Sequence, residues 1–221
     1  MKKTVKRLLV LLLAVSMTMV APVRADAKTI KDYTQGFTLY PKNSPSYSDK
    51  QDLGICTGKT KIKNLTNSNK SVAKVTVGKS ENGYVIYVQP KKAGTTNISY
   101  KVGKDTHKRK LIVKKYVNPY KQVKINGKDI TSKFNKTNIC VLSYKQYKGK
   151  TIKLSFKRKG FWYMHHGDYI EKGSERIHCI GSMSDPSTFK VKKKGSIAYL
   201  WTEDNSLNGD ERAEDCRIIF K

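Results

Sequence analysis

The segment spanning residues 68–102 constrains the fold of this chain more than any other. It contains short runs in which apolar and polar residues alternate, and Asn82-Gly83 and Ala93-Gly94 separate these runs. Alternation with a period of two is typical of strands that bury one face, and Gly-containing pairs are typical of the turns between them. The segment therefore predicts consecutive antiparallel strands.

The same segment resembles the bacterial immunoglobulin-like domains of group 2. The matching parts are SNKSVAKV (68–75), the Asn82-Gly83 turn, the short strand 84–88 and the segment 92–100. The resemblance covers part of the first domain only. It implies an immunoglobulin-like β-sandwich in an extracellular protein, and its strand and turn motifs imply no chemistry.

Strand patterns continue to the end of the chain, and no window shows a sustained helical period with caps at both ends. In the second half, Asn126-Gly127 lies between alternating apolar residues and predicts a type I′ hairpin. By number and spacing, the strands expected after this hairpin match a second sandwich. They are 139–144, 151–156, 161–164, 176–180, 187–191, 197–202 and 216–220. We therefore predict an all-β protein with two immunoglobulin-like β-sandwich domains, residues 28–118 and 119–221.

Residues 1–27 have the three parts of a secretory signal peptide. A basic start precedes an apolar run at 8–15, and Ala25-Asp26-Ala27 supplies small residues for cleavage before Lys28. The apolar run is shorter than the roughly 20 residues that a bilayer span needs, so we expect cleavage and no membrane span afterwards. The expected location is extracellular, either secreted or associated with a cell wall.

The chain is strongly basic, with 45 Lys and Arg against 17 Asp and Glu and a net charge of +28. Such a charge attracts polyanions. An exported protein of a low-GC Gram-positive bacterium would meet the anionic polymers of the wall first, so we expect a cell-wall polymer or glycan as partner and no specific nucleic acid. The alternative is that AT-rich codon usage supplies lysines that are merely solvated. A monomer is expected.

A basic run followed by aromatic residues is the best candidate for a ligand site. Lys157, Arg158 and Lys159 precede Trp162 and Tyr163. Neighbouring residues of a strand face opposite sides, so one of the two aromatic residues is expected to face outward. An exposed ring beside cations suits a glycan or wall polymer. The alternative is the buried Trp that is common in sandwich cores.

Two other clusters contain residue types that bind metals. His165 and His166 are adjacent, and His178 follows later, but adjacent strand residues face opposite sides and share a metal only if they lie in a turn. The segment 204–215 has part of the spacing of a calcium loop. However, Glu211 replaces an apolar residue of that pattern, and strands are expected on both sides. We predict an acidic hairpin loop, no metal and no cofactor.

Motifs of nucleophilic catalysis are absent from the sequence, including Gly-x-Ser-x-Gly. The predicted function is therefore non-catalytic: binding, adhesion or spacing at the cell surface. The alternative is a secreted enzyme or inhibitor whose site lies around His165, His166 and His178.

Four cysteines follow the signal peptide: Cys56, Cys140, Cys179 and Cys216. Disulfides are permitted outside the cell, and four cysteines allow three full pairings. We favour a Cys140–Cys216 bridge because early and last strands of a sandwich often lie close, although Cys179 could replace either residue. The alternative is that the cysteines are reduced and buried.

Overall fold

A computed structural model describes residues 29–31, 34–55, 57–160, 162–174, 177–181, 187–204 and 212–221. For 29–31, 163–166, 177–181 and 187 it describes the backbone alone. The expected signal peptide (1–27), Cys56 and most of the acidic loop (205–211) lie outside the described residues.

Strands from the first half of the chain form two sheets. One sheet has the order β1 (Thr29–Lys31), β8 (Asp105–Lys115), β7 (Gly94–Val102) and β4 (Ile62–Asn67), and β2 (Gln35–Leu39) pairs in parallel with β8. The other has the order β3 (Gln51–Asp52), β6 (Gly83–Pro90) and β5 (Ala73–Ser80). Both sheets contribute to one apolar core, which includes Phe37, Ile86, Val88, Ile98, Tyr100 and Leu111.

Strands from the second half form two further sheets. One has the order β10 (Lys128–Asp129), β9 (Tyr120–Ile125), β12 (Thr151–Arg158) and β15 (Ser187–Lys190). The other has the order β11 (Ile139–Leu142), β17 (Arg212–Phe220), β16 (Ile197–Asp204), β13 (Trp162–Ile170) and β14 (Ile177–Gly181). A 3-10 helix (Thr131–Phe134) and a one-turn helix, α1 (Tyr144–Tyr147), lie between the early strands. The core includes Tyr120, Phe134, Ile152, Leu154, Leu200 and Phe220.

The alternation in the sequence accounts for these sheets. Along β16 and β17, buried and half-buried residues alternate without interruption, so that Leu200 faces the core and Trp201 faces outward. The all-β prediction is confirmed. Among the described residues, no helix is long and apolar enough to cross a membrane.

The two Asn-Gly pairs differ in their roles. Asn126 (φ 50°) and Gly127 (φ 81°) form the predicted hairpin turn between β9 and β10. Near the other pair, Ser80 pairs with Gly83, so the turn consists of residues 81–82 and Gly83 begins β6. Gly83 has a φ of 125°, and a Cβ at this position would collide with the backbone of Gly58. Only a glycine fits at position 83, because the backbones of Gly58 and Gly83 lie too close together for a side chain.

A buried interface joins the two halves, where β2 packs beside β17. The Thr38 hydroxyl on β2 donates a hydrogen bond to Glu214 Oε1 on β17 at 2.8 Å. Ser44 Oγ donates to Asn138 Oδ1 at 3.2 Å. The rings of Tyr40 and Tyr116, 5.7 Å apart, pack with the core of the second half. Segment 41–52, which is rich in Ser, Pro and Asp, thus contributes buried polar contacts to an interface.

Replacing Thr38 with valine should lower the free energy of unfolding by about 1.5 kcal/mol, because the buried Glu214 carboxyl would no longer have this hydrogen-bond donor. Urea denaturation measures the change. Thr106→Val is the matched control, since this half-buried threonine lies on the outer face of β8 and should change stability by no more than about 0.5 kcal/mol. Equal effects of the two substitutions would contradict the role of the interface hydrogen bond.

The favoured disulfide needs correction. Cys140 on β11 and Cys216 on β17 are both buried, free thiols. In the parallel ladder Cys140 lies opposite Ile218, so Cys216 is two residues before the partner of Cys140 on β17. Two residues along a strand span about 6.6 Å and neighbouring strands lie about 4.8 Å apart, so the two Cα atoms are roughly 8 Å apart. A disulfide needs Cα atoms no more than about 7 Å apart. Burial raises the pKa of Cys140 to about 11.

Candidate polyanion-binding surface

The outer face of the sheet that contains β4, β7 and β8 is covered by exposed lysines. Along β8, Lys108 and Lys110 are exposed while Arg109 and Leu111 are buried. Strand pairing brings two further lysines to the same face, from β4 and β7. The set is termed the lysine face and consists of Lys63, Lys101, Lys108 and Lys110.

The lysine face has no counter-charge of its own. Lys63 and Lys101 lie directly opposite each other in the β4–β7 ladder, and like charges at such positions destabilise a sheet. Along the described strands β4, β7 and β8, no Asp or Glu shares this face. Hydroxyl and amide side chains fill most of its other positions: Thr66, Thr95, Asn97, Ser99 and Thr106. Positive charge among neutral hydrogen-bonding groups is suited to a polyanion.

A second group of lysines lies on the outer face of β9, β12 and β15: Lys124, Lys153, Lys157 and Lys190. Among the described positions of this face, Asp129 at the edge, opposite Lys124, is the one carboxylate. Its Oδ1 accepts hydrogen bonds from the Thr131 hydroxyl (2.6 Å) and backbone N–H (2.8 Å). These bonds lower the pKa of Asp129. The second face is therefore less completely basic than the lysine face.

The basic-aromatic run is not one surface. Lys157 and Arg158 are exposed, and the ammonium of Lys159 donates to the Asn118 carbonyl at 3.0 Å. Trp162 is only 9% exposed, and its ring lies 5.0 Å from the Arg212 guanidinium carbon. This corrects the expectation that Trp162 contacts a ligand, because the ring faces the core. The side chain of Tyr163 lies outside the described residues.

The side chains of His165, His166 and His178 also lie outside the described residues, so the alternative site around them stays a prediction. Within the described part of the chain, no group of three or more His, Cys, Asp or Glu side chains is arranged to hold a metal ion.

The two ends of the acidic loop are engaged in ion pairs. Asp204 Oδ2 lies 3.4 Å from Arg212 Nη2, and Asp215 Oδ2 lies 2.6 Å from Arg217 Nη2. These aspartates occupy the first and last positions of the calcium-like spacing. Both are thus directed toward arginines of β17.

Sequence reasoning detected the charge of the chain but missed the lysine face. On β8, the alternation of Lys108 and Lys110 with apolar or buried residues could have predicted that these two lysines share the outer face. The sequence could not predict which residue lies opposite Lys63, because the ladder shifts register between Lys63 and Thr66, where Asn64 has a φ of 52°. Only the observed register places Lys63 opposite Lys101.

Comparison with solved structures finds tandem β-sandwich proteins. Tandem Ig repeats of Dlar are 12% identical, with a TM-score of 0.35, over 87% of this chain and 95% of that one. The protocadherin Gamma B2 extracellular cadherin domains 1-5 are 10% identical (TM-score 0.29, 89% of this chain), and the protocadherin GammaB4 extracellular domain is 12% identical (TM-score 0.26, 88% of this chain). This chain spans 40% and 32% of those two proteins. Similarity this weak carries no functional information.

The sequence itself matches no protein-family model and no curated protein.

Proposed function

We propose that this protein is an extracellular, non-catalytic binding protein that attaches to an anionic cell-wall polymer through its lysine face. In this proposal, residues 1–27 are a cleaved signal peptide. Residues 28–118 form a sandwich domain related to the group 2 bacterial immunoglobulin-like domains, and residues 119–221 form a second sandwich domain. The observation that carries the proposal is the direct opposition of Lys63 and Lys101 on a face where the described strands β4, β7 and β8 carry no carboxylate.

Repulsion between lysines is the physical reason to expect an anionic polymer on the lysine face. In the free protein, the ammonium groups of Lys63 and Lys101 repel each other, and the described strands offer no carboxylate on that face to offset this. A chain of phosphodiesters laid across the face would replace repulsion with attraction and would release condensed counterions. The intervening hydroxyl and amide groups of Ser99 and Asn97 can donate hydrogen bonds to phosphate oxygens.

The triple substitution Lys101→Gln, Lys108→Gln and Lys110→Gln should weaken binding to a purified polyol-phosphate wall polymer by on the order of 10–100-fold at low salt. The slope of log affinity against log salt concentration should become shallower by about one for each phosphate that the variant no longer binds. Sedimentation with isolated walls, before and after chemical removal of the polyol phosphate, measures the effect. Wild-type protein should sediment only with untreated walls.

The matched control is Lys59→Gln, Lys104→Gln and Lys194→Gln, which removes the same charge from exposed positions outside the two lysine-bearing sheet faces. This variant should bind within about threefold of wild type, since net charge alone acts weakly through salt. If both triple variants show the same fall in affinity, the lysines act only through net charge and the proposed surface is wrong.

A further inference from the structure

A cleft of about 560 Å³ lies between the two halves of the molecule. One wall is formed by the chain segment 34–52. The other is the outer face of β16 and β17, with Trp201, Ala213 and Asp215. The volume lies within the range of about 300–1,000 Å³ that is usual for small-molecule sites. None of the lining residues belongs to the lysine face.

Two polar atoms in the walls of this cleft are buried and have no hydrogen-bond partner in the described part of the molecule. One is the hydroxyl oxygen of Ser46, a residue that is 2% exposed. The other is Asp215 Oδ1. Buried hydroxyls and carboxylates are nearly always paired in folded proteins. The two atoms therefore point to a bound group that offers hydrogen-bond donors and accepts from a hydroxyl.

The charge of Asp215 is already balanced. Its Oδ2 accepts hydrogen bonds from Arg217 Nε at 2.8 Å and from Nη2 at 2.6 Å. The unpartnered Oδ1 is thus the acceptor end of an ion pair whose charge is neutralised. Such an acceptor suits a neutral hydroxyl donor better than a second cation, which would have to compete with the guanidinium.

The rest of the cleft combines an aromatic wall with further acceptors. Trp201 is half-buried and its side chain lines the cleft. Asp49, Asp52 and Glu203 also line the cleft, with Lys50 as the one further cation of the described lining besides Arg217, in a chain whose net charge is +28. With Asp215 paired to Arg217, three carboxylates against one lysine would repel the polyanion that the lysine face would attract. The two surfaces therefore favour different ligands.

We propose that the cleft binds a neutral sugar, as a short oligosaccharide. Sugar hydroxyls donate to Asp215 Oδ1 and exchange hydrogen bonds with the Ser46 hydroxyl, while the apolar C–H face of a ring packs on Trp201. This pairing satisfies both unpartnered atoms and uses the aromatic wall. It is independent of the attachment through the lysine face.

Trp201 supplies the readout, because the chain has two tryptophans and Trp162 is buried against Arg212. Quenching or enhancement of tryptophan fluorescence is measured while a series of neutral hexose and N-acetylhexosamine oligosaccharides is titrated into the full-length protein. At least one oligosaccharide should bind saturably, and Trp201→Ala should abolish the binding when it is followed by calorimetry.

The decisive variants are Ser46→Ala and Ser44→Ala, which make the same substitution two residues apart. Ser46→Ala removes a hydroxyl that makes no hydrogen bond, so the urea midpoint should stay equal or rise, while affinity for the sugar should fall by about tenfold. Ser44 Oγ donates a hydrogen bond to Asn138 Oδ1 and accepts from the Thr137 hydroxyl and the Ser46 N–H, and Ser44 does not line the cleft. Ser44→Ala should therefore lower the urea midpoint but keep the Ser46 hydroxyl, so its affinity for the sugar should fall less than that of Ser46→Ala.

Three results would overturn the sugar site. They are saturable binding of a lysine-rich peptide or polyamine with no binding of any neutral oligosaccharide, no saturable binding of any of these ligands, and unchanged sugar affinity in Ser46→Ala. The Lys101→Gln, Lys108→Gln and Lys110→Gln variant should bind the sugar as wild type does. The failure of wall attachment and the failure of the cleft are therefore distinguishable.

Discussion

Replacing Arg212 with alanine should lower the free energy of unfolding by about 3–5 kcal/mol at about pH 8, because it removes the cation from a buried pair of carboxyl groups. The Arg212 side chain is 3% exposed and lies between Asp204, at 3.4 Å, and Glu214, at 3.8 Å. Breaking a buried ion pair costs much more than the pair contributes, because an uncompensated charge stays in the interior.

The same substitution also removes a hydrogen bond and a ring interaction. Arg212 Nη1 donates to the Lys115 carbonyl at 3.1 Å, which ties β17 to the end of β8. The guanidinium also packs on the ring of Trp162, with 5.0 Å between its carbon and the ring centre. Urea or thermal unfolding of the full chain would measure the combined destabilisation.

Arg217→Ala is the matched control on the same strand. Arg217 pairs with Asp215 at 2.6 Å, but the two side chains are 32% and 21% exposed. A pair so accessible to water contributes at most about 1 kcal/mol. A destabilisation in Arg212→Ala no larger than that in Arg217→Ala would show that burial of the cluster does not govern its energetics.

Stability should also fall as the pH rises toward neutrality, because burial raises the pKa of Glu214 to about 7. The nearby Arg212 cation and the Thr38 hydroxyl oppose this rise without cancelling it. The unfolded chain releases the proton near its ordinary pKa of 4.5, whereas the folded chain keeps it to about 7. The stabilising contribution is thus complete below the unfolded pKa and is lost as the pH rises through the folded pKa. Its size is about 3 kcal/mol.

Glu214→Gln isolates this effect, since an amide keeps the shape of the side chain and does not titrate. The free energy of unfolding of wild type minus that of the variant, measured in urea from about pH 4.5 to 8, should decrease by about 3 kcal/mol. Other titrating groups contribute equally to both proteins and cancel in the difference. A difference that is flat across this range would mean that Glu214 ionises normally in the folded protein.

Local patterns in the sequence predicted much of the fold. Alternation identified β16 and β17, and Asn126-Gly127 identified the β9–β10 hairpin, because each depends on residues close together in the chain. The orientation of Trp162 was harder to predict, because its neighbours in the sequence, cations on one side and an aromatic residue on the other, do not indicate which face of the strand is buried. The observed pairing of Trp162 with Asp204 places it on the inner face beside Arg212.

The candidate sites depend on contacts between distant residues, and sequence patterns do not encode these directly. Lys63 and Lys101 meet through a ladder that shifts register. Ser46 and Asp215 line one cleft only because the two halves pack together. Glu214 was one of several acidic residues near the end of the chain, and its burial follows from β2 lying against β17.

The interface between the halves has a mechanical consequence. Thr38–Glu214 and Arg212–Lys115 join the halves at one place, since Thr38 and Arg212 both lie beside Glu214 Oε1, and Ser44–Asn138 joins them at a second, in addition to the covalent link near Pro119. A covalent link alone would allow the second half to swing, whereas non-covalent attachments at two places beside it oppose that movement. A force that pulls the two halves apart must therefore break both attachments before the chain can extend.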